Sequence, residues 1–386
     1  MPVAHDIVIA GGGVMGLYTA YTLLRRGVRR LAVLERYTVG HDRAASVDTS
    51  RAVRYEYAAN ETYSRMVARV IPMWRELEAL AGTDLYVPCG VACWGRAGDM
   101  HARQSFRTLT GMGIPIRQIG PADLVKMFPQ FAVADIYYAT YNPEGGFLRA
   151  DECVQVLAKA VRDLGGEIIE GCQVVGVDES HGSVSVSDAT GHEHKARKVV
   201  LAPGAWAARL LPKLGLAIPL TANRQQVLYI AGLGPEYEPG SFPVFLNLDH
   251  DFYGFPLDRN RMLKASIHRA GPVIDPDSAP APDAGFDQAV LRLMRSYIPM
   301  AAAQGRLSHS RMCMYEMTPD EDFILDRLPG YENVVIAAGF SGHGFKFAPI
   351  IGEMVADMLT DREPEFPLSQ FAISRFKRVW HRTSVV

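Results

Sequence analysis

The feature that most limits how this chain can fold is a glycine-rich loop set between a strand and a helix. Asp6-Ile7-Val8-Ile9-Ala10 is a short apolar run, and Gly11-Gly12-Gly13-Val14-Met15-Gly16 follows it at once. Gly11, Gly13 and Gly16 form a GxGxxG pattern. Gly11 permits the tight turn, Gly13 lets a pyrophosphate approach the backbone, and Gly16 lets the helix lie close to the strand. The helix that opens at Val14 and Met15 offers free N–H groups and its positive dipole end to an anion. Leu17, Ala20, Leu23 and Leu24 give it an apolar face up to Gly27, and a second strand, Leu31-Ala32-Val33-Leu34, ends at Glu35. Glu35 stands 19 residues after Gly16. An acid there bonds ribose hydroxyls and would repel a 2′-phosphate. The loop therefore predicts a dinucleotide fold and argues against NADP. By itself it does not separate FAD from NAD.

Pieces of the same kind recur along the chain. A strand at 198–202 runs into Pro203-Gly204-Ala205-Trp206, and Val334-Val335-Ile336-Ala337-Ala338 runs into another Gly-rich loop and a helix over about 346–359. Apolar spacing of Met66, Val67, Val70, Ile71, Trp74 and Leu77 predicts a helix over 62–81. A second helix is expected over 151–164, with Asp151 as N-cap and Gly165 at its end. Strands are expected at 167–170 and 172–177 and a hairpin at 183–195, while 44–58 reads as a polar loop carrying Arg51 and Arg54. The stretches 83–145 and 220–310 are strand-rich. The chain of 386 residues is long enough for two domains at roughly 100–200 residues each. The expected class is α/β. An interrupted Rossmann-like nucleotide domain takes residues 1–82, 146–219 and 311–386, and a β-rich substrate domain takes 83–145 and 220–310.

Charge and composition exclude some partners. The formal net charge is -2, without the basic excess that a nucleic-acid surface needs. No run of about 18 apolar residues is present to span a membrane, and no basic, apolar leader precedes the first strand. A cytoplasmic protein is the expectation. The five cysteines, Cys89, Cys93, Cys153, Cys172 and Cys313, are odd in number and irregularly spaced. Cys89 and Cys93 lie close together, but no second pair completes a zinc pattern, so reduced thiols and no metal are expected.

The C-terminal half separates the cofactors. Cys313-Met314-Tyr315-Glu316-Met317-Thr318-Pro319-Asp320 and, further on, Ala338-Gly339-Phe340-Ser341-Gly342-His343-Gly344-Phe345-Lys346 resemble the monomeric sarcosine oxidase and N-methyl amino acid oxidase family. These are FAD-dependent amine oxidases of the D-amino-acid-oxidase-like group. The resemblance runs in order over essentially the whole chain: the Gly-rich loop, Arg51 and Arg54, Tyr253-Gly254-Phe255-Pro256, Lys264, His268, Cys313 and the SGHGFK loop.

The resemblance implies a monomeric oxidase that takes electrons from a small carboxylate-bearing amine into FAD and passes them to dioxygen as hydrogen peroxide. It implies that Cys313 is linked to the flavin as a thioether, which calls for a thiolate and so for basic groups that lower its pKa. It implies that Arg54 and Lys346 hold the substrate carboxylate, the Arg fork with two parallel hydrogen bonds and the Lys as a point charge. Lys264 matches the lysine that favours oxygen reduction, through a fixed positive charge beside developing negative charge. His268, Tyr253 and Tyr315 match residues lining the amine pocket, and Arg51 matches an arginine near the flavin. Around the cofactor the resemblance also places Arg36, Ser50, Val174, Gly204, Trp206, Gly339, Gly342, Gly344 and Phe345.

Three stretches depart from the family pattern: Ala44-Ala45-Ser46-Val47-Asp48-Thr49-Ser50 before Arg51, a short Asn247-Leu248-Asp249-His250-Asp251, and Glu316 in place of a small neutral residue. Part of the pocket wall has changed, so the amine is left open among N-methyl, N-alkyl and cyclic imino acids. A flavin dehydrogenase with another electron acceptor, or an NAD-dependent oxidoreductase built on the Gly-rich loop alone, are the competing readings.

Overall fold

His5–Ala10 alternates its side chains between two layers, as a strand must. Ile7 and Ile9 pack into one core cluster, and Val8 and Ala10 into another on the opposite face. The strand lies between Leu31–Leu34 and Glu193–Leu201, parallel to both. Glu167–Ile169 adds a further parallel strand beyond Leu31–Leu34. The computed structural model describes residues 4–96, 100–132, 136–278 and 281–376. Residues 1–3 and 377–386, both expected to belong to the nucleotide domain, lie outside the described residues.

On one face of this sheet the helix Val14–Arg25 packs against Ala150–Asp163 and Ala348–Leu359. Leu17 and Leu23 are fully buried there, which stabilises the layer by about 1.5–3 kcal/mol per side chain. The other face is covered by the helix Ala207–Lys213 and by side chains of the strands Val174–Ser180 and Ser183–Asp188.

Glu193–Leu201 is a single strand of nine residues, where the sequence suggests a hairpin arm followed by a separate strand. Its first half pairs antiparallel with Ser183–Asp188 and its second half pairs parallel with Val334–Ala338. Two partners take turns along one edge, and the local pattern cannot show that. Ile324–Arg327 then closes this side, antiparallel to Val334–Ala338.

A second sheet of eight strands runs in the order Arg306–Met317, Thr221–Ala231, Leu263–Ile267, Phe252–Phe255, Val244–Asn247, Val91–Gly95, Tyr138–Asn142, Arg117–Ile119. Val290, Met294 and Tyr297 of the helix Ala284–Tyr297 bury against it. The stretch 220–310 is expected to be strand-rich, and this helix, capped by the Asp283 side chain, departs from that expectation. A three-stranded sheet joins Arg51–Val53, Gly146–Leu148 and Tyr86–Val87. The expected loop at 44–58 thus contains a strand, and it fixes Arg51. The helix expected from 151 begins at Ala150, so Asp151 sits in its first turn and Arg149 takes the cap position.

The geometry that matters most for the site is the path of Arg306–Met317. It pairs with Thr221–Ala231 along its length and carries Cys313 and Tyr315 toward the loop that follows Val334–Ala338. Gly342 lies against Tyr315: a Cβ there would stand 2.4 Å from the tyrosine ring.

Candidate active site

The Gly-rich loop is built for backbone approach. Gly11 has φ +119, and a Cβ on it would stand 2.1 Å from the Ala202 carbonyl oxygen. Gly13 caps the helix Val14–Arg25 without a side-chain bond of its own, and the Val14 N–H donates to Ser46 Oγ at 3.0 Å. Glu35 accepts from the Gly12 and Tyr37 N–H groups at 2.8 and 2.9 Å. Burial pushes its carboxyl up, but His41 and the two N–H groups hold it below the usual carboxylate value. Arg36 pairs with Asp277 at 2.6 Å, and Trp206 Nε1 donates to the same carboxylate at 2.8 Å.

These groups line one continuous cavity of about 820 Å³ that runs from Gly11, Gly13, Val14, Met15, Glu35, Val174 and Gly204 to Cys313, Phe345 and Lys346. Three residues expected at the cofactor do not line it. Gly16 serves packing, since a Cβ there would stand 1.9 Å from the Gly11 oxygen. Gly339 faces Thr318. Ser50 is buried and contributes its carbonyl, which accepts from Lys264 Nζ at 2.7 Å.

The same cavity is lined by a buried charge cluster. Lys264 is 2% exposed and donates to Asp48 Oδ2 at 2.6 Å. Arg51 and Tyr229 donate to the same carboxylate. Despite burial, the Lys264 and Arg51 charges hold Asp48 far below the carboxylate range. Burial lowers the Lys264 ammonium to about 8 even though Asp48 pulls it the other way. Two cations face one carboxylate here, so the cluster has one positive charge in excess, which favours an anionic group beside it.

In the same cavity, Arg54 and Lys346 both lie against one aromatic ring. The Arg54 guanidinium lies 4.4 Å from the centre of Tyr57, and Lys346 Nζ lies 5.2 Å from it. Lys346 is buried and donates to the His343 carbonyl at 3.0 Å. Burial, then the Arg54 charge, lowers its pKa well below the ordinary lysine value. The adjacent Glu56 carboxylate is buried with neither oxygen hydrogen-bonded. His268 Nδ1 lies 3.2 Å from the Tyr315 hydroxyl, and Tyr253 meets the His268 ring edge-on at 6.0 Å. Burial, with help from Arg54, lowers His268 to about 4, so it is neutral at neutral pH.

Cys313 is buried and lines the same cavity. The expectation of a lowered thiol pKa is corrected by the structure. Arg51 and Lys264 do pull it down, but burial outweighs them and raises it. Glu316 also faces the cavity, with one carboxylate oxygen unpaired and its pKa raised to about 8 by burial.

The residues fit FAD: a glycine cradle for a pyrophosphate, an acid for ribose, and a buried positive cluster for an anionic ring. The family described as DAO, FAD dependent oxidoreductase, matches residues 6–358. The chain belongs to that family. It is 32% identical over 385 residues to the peroxisomal sarcosine oxidase of Homo sapiens, covering 96% of each chain. It is 30% identical over 379 residues to N-methyl-L-tryptophan oxidase of Yersinia pestis (strain Pestoides F), covering 97% of this chain and all of that one. L-proline dehydrogenase from P. horikoshii superposes with a TM-score of 0.87 at 23% identity, covering 98% of this chain and 99% of the other, a likeness of fold. Glycine oxidase from Geobacillus kaustophilus superposes with a TM-score of 0.83 at 22% identity, covering 96% and 98%.

Within this FAD-dependent oxidoreductase, sequence reasoning missed Asp48, Tyr57, Glu56, Ser46 and Asp277. Asp48 carried a usable signal, an acid three residues before Arg51. Asp277 carried none, because its partners Arg36 and Trp206 are remote in the chain.

Proposed function

We propose that this protein is an oxidase of a secondary amine bearing a carboxylate: an N-methyl, N-alkyl or cyclic imino acid. The observation that carries this is the Arg54–Tyr57–Lys346 arrangement in the same cavity as Lys264, Arg51 and Cys313. Bound FAD supplies the two-electron acceptor for the C–H bond next to nitrogen. Arg54 and Lys346 hold the carboxylate, and its negative charge restores the charged form of Lys346 that burial disfavours. This fixes the amine against the wall of Tyr253, His268 and Tyr315, so orientation supplies much of the rate. His268, neutral at neutral pH, accepts hydrogen bonds without repelling an amine. Lys264 and Arg51 provide positive charge where negative charge develops during oxygen reduction.

Cys313 is the residue we assign to covalent attachment, on the strength of its match to the family cysteine and its place in the same cavity as Arg51 and Lys264. We also assign residues 1–82, 146–219 and 311–386 to the FAD-binding part and 83–145 and 220–310 to the substrate part, with the strand Arg306–Met317 at the seam. A monomer in the cytoplasm completes the reading, supported by five buried cysteines with no disulfide among the described residues, which suits a reducing compartment. Among the described residues no helix is long and apolar enough to cross a membrane.

The test is anaerobic bleaching of the flavin by sarcosine, larger N-methyl amino acids, proline, pipecolate and primary amino acids, followed by admission of oxygen. Rapid bleaching by a secondary amine and recovery with peroxide release are expected. Bleaching by none of these acids would end the carboxylate-clamp reading, and recovery only with an artificial acceptor would make the enzyme a dehydrogenase. Acid denaturation should leave the flavin on the chain and release it from Cys313→Ala.

A further inference from the structure

Outside the redox site, a β-meander gathers three metal-ligating side chains from well-separated positions. Cys172 lies just before the strand Val174–Ser180, Asp188 ends Ser183–Asp188, and His194 stands second in Glu193–Leu201. The ladders fix their places, with Asp188 opposite Val174 and His194 opposite Val186. Cys172 Sγ lies 3.6 Å from Asp188 Oδ2 and 3.5 Å from His194 Nε2, and those two atoms lie 3.3 Å apart. We propose that Cys172, Asp188 and His194 bind a zinc-class divalent cation.

The three separations carry the argument. Tetrahedral zinc with a sulfur at about 2.3 Å and nitrogen or oxygen at about 2.0–2.1 Å has ligand-to-ligand edges of roughly 3.3–3.6 Å. The observed triangle has those edges, so an ion fits just out of its plane without moving a ligand. The donor set, one thiolate, one imidazole and one carboxylate, is of the type that zinc prefers.

The surroundings orient the ligands. Asp188 Oδ1 accepts from the Thr190 N–H at 2.8 Å, the Thr190 hydroxyl at 2.6 Å and the His192 N–H at 3.1 Å. These bonds turn the other oxygen, Oδ2, toward Cys172 and His194, as outer-sphere partners do around metal ligands. The Cys172 N–H donates to the Glu35 carbonyl at 2.8 Å, and Ala189 N–H donates to the Gln173 carbonyl at 2.8 Å. All three ligands are less than a tenth exposed. Three protein donors leave the fourth corner to water. Because Cys172 and Val174 also line the nucleotide end of the large cavity, the ion would staple the cavity wall to the meander.

The test uses the purified FAD-loaded protein, exposed to one equivalent of zinc ion, dialysed, and measured for bound metal and by zinc-edge X-ray absorption. One retained zinc per chain with a single sulfur at about 2.3 Å and nitrogen or oxygen at about 2.0 Å is the expected result. Cys172→Ser and His194→Gln should each weaken binding by at least the ~10–100-fold that loss of an outer-sphere partner alone costs. No retained zinc, a first shell without sulfur, or equal retention by both variants would overturn the assignment. The absorption spectrum of the unaltered protein decides the matter even if a variant fails to fold.

Discussion

Lys264 shows how one buried charge sets a testable rate. Its ammonium is charged below about 8 and neutral above, because burial disfavours the charge and Asp48 only partly restores it. If that charge drives oxygen reduction, the rate of reaction between reduced enzyme and dioxygen falls as pH rises through about 8. Stopped-flow reoxidation reads this directly, and a flat profile from pH 7 to 9 would remove the charge from the mechanism. Lys264→Met should slow reoxidation by about 100-fold or more and leave FAD content unchanged. Glu316 makes the opposite kind of prediction, about stability. Burial lifts its folded pKa from an ordinary 4.5 to about 8, so between those values the folded state holds a proton that the unfolded state lacks. Stability therefore falls as pH rises through that window, by at most about 1.4 kcal/mol per pH unit. Glu316→Gln should flatten the slope of the thermal midpoint against pH between 5 and 8; an unchanged slope would place the titration elsewhere.

At the level of elements, the loop after Val334–Ala338 is the most constrained. Ser341 adopts φ 45, and its hydroxyl accepts from the Thr318 N–H at 3.2 Å and donates to the Gly339 carbonyl at 3.1 Å. Gly342 has φ +78 and lies under the Tyr315 ring. Gly342→Ala therefore meets two penalties: a left-handed backbone that costs a side chain about 1–2 kcal/mol, and a methyl group driven into Tyr315. Because Tyr315 hydrogen-bonds His268, the expected effect is a raised KM for the amine with the flavin retained. Wild-type KM in that variant would show that the loop does not position the pocket wall. The helix expected over about 346–359 becomes α-helical only at Ala348. Lys346 sits in the short 3-10 turn Phe345–Phe347 that leads directly into it, and its side chain is buried.

Across the whole molecule, the two large sheets meet at the cavity, and small groups clamp the seam. Asp277, in the stretch between Leu263–Ile267 and the helix Ala284–Tyr297, takes Arg36 from the nucleotide sheet's side and Trp206 from the turn after Glu193–Leu201. Arg209 joins the same carboxylate. Asp277→Ala in a Cys313→Ala background should weaken FAD retention without changing kcat at saturating FAD; equilibrium dialysis of the flavin checks it. Equal retention with and without Asp277→Ala in the Cys313→Ala background would show that this clamp does not close the nucleotide end.

The glycine cradle, Glu35 and the α/β class were legible in the chain, because tight turns, helix starts and strand alternation are local consequences of a few residues. The motif order also placed Arg54, Lys264, Cys313 and Lys346 in one family pattern, and the structure brings all four to one cavity. The direction of the Cys313 pKa was decided only in three dimensions, since burial is a property of everything packed around the thiol and outweighs the two nearby cations. The same holds for Asp48, which meets Lys264 across 216 residues of chain, and for Asp277. Cys172, Asp188 and His194 converge only because two antiparallel ladders set their register. Contacts of this kind depend on how strands pair and sheets pack, and the local pattern of the chain does not encode that pairing.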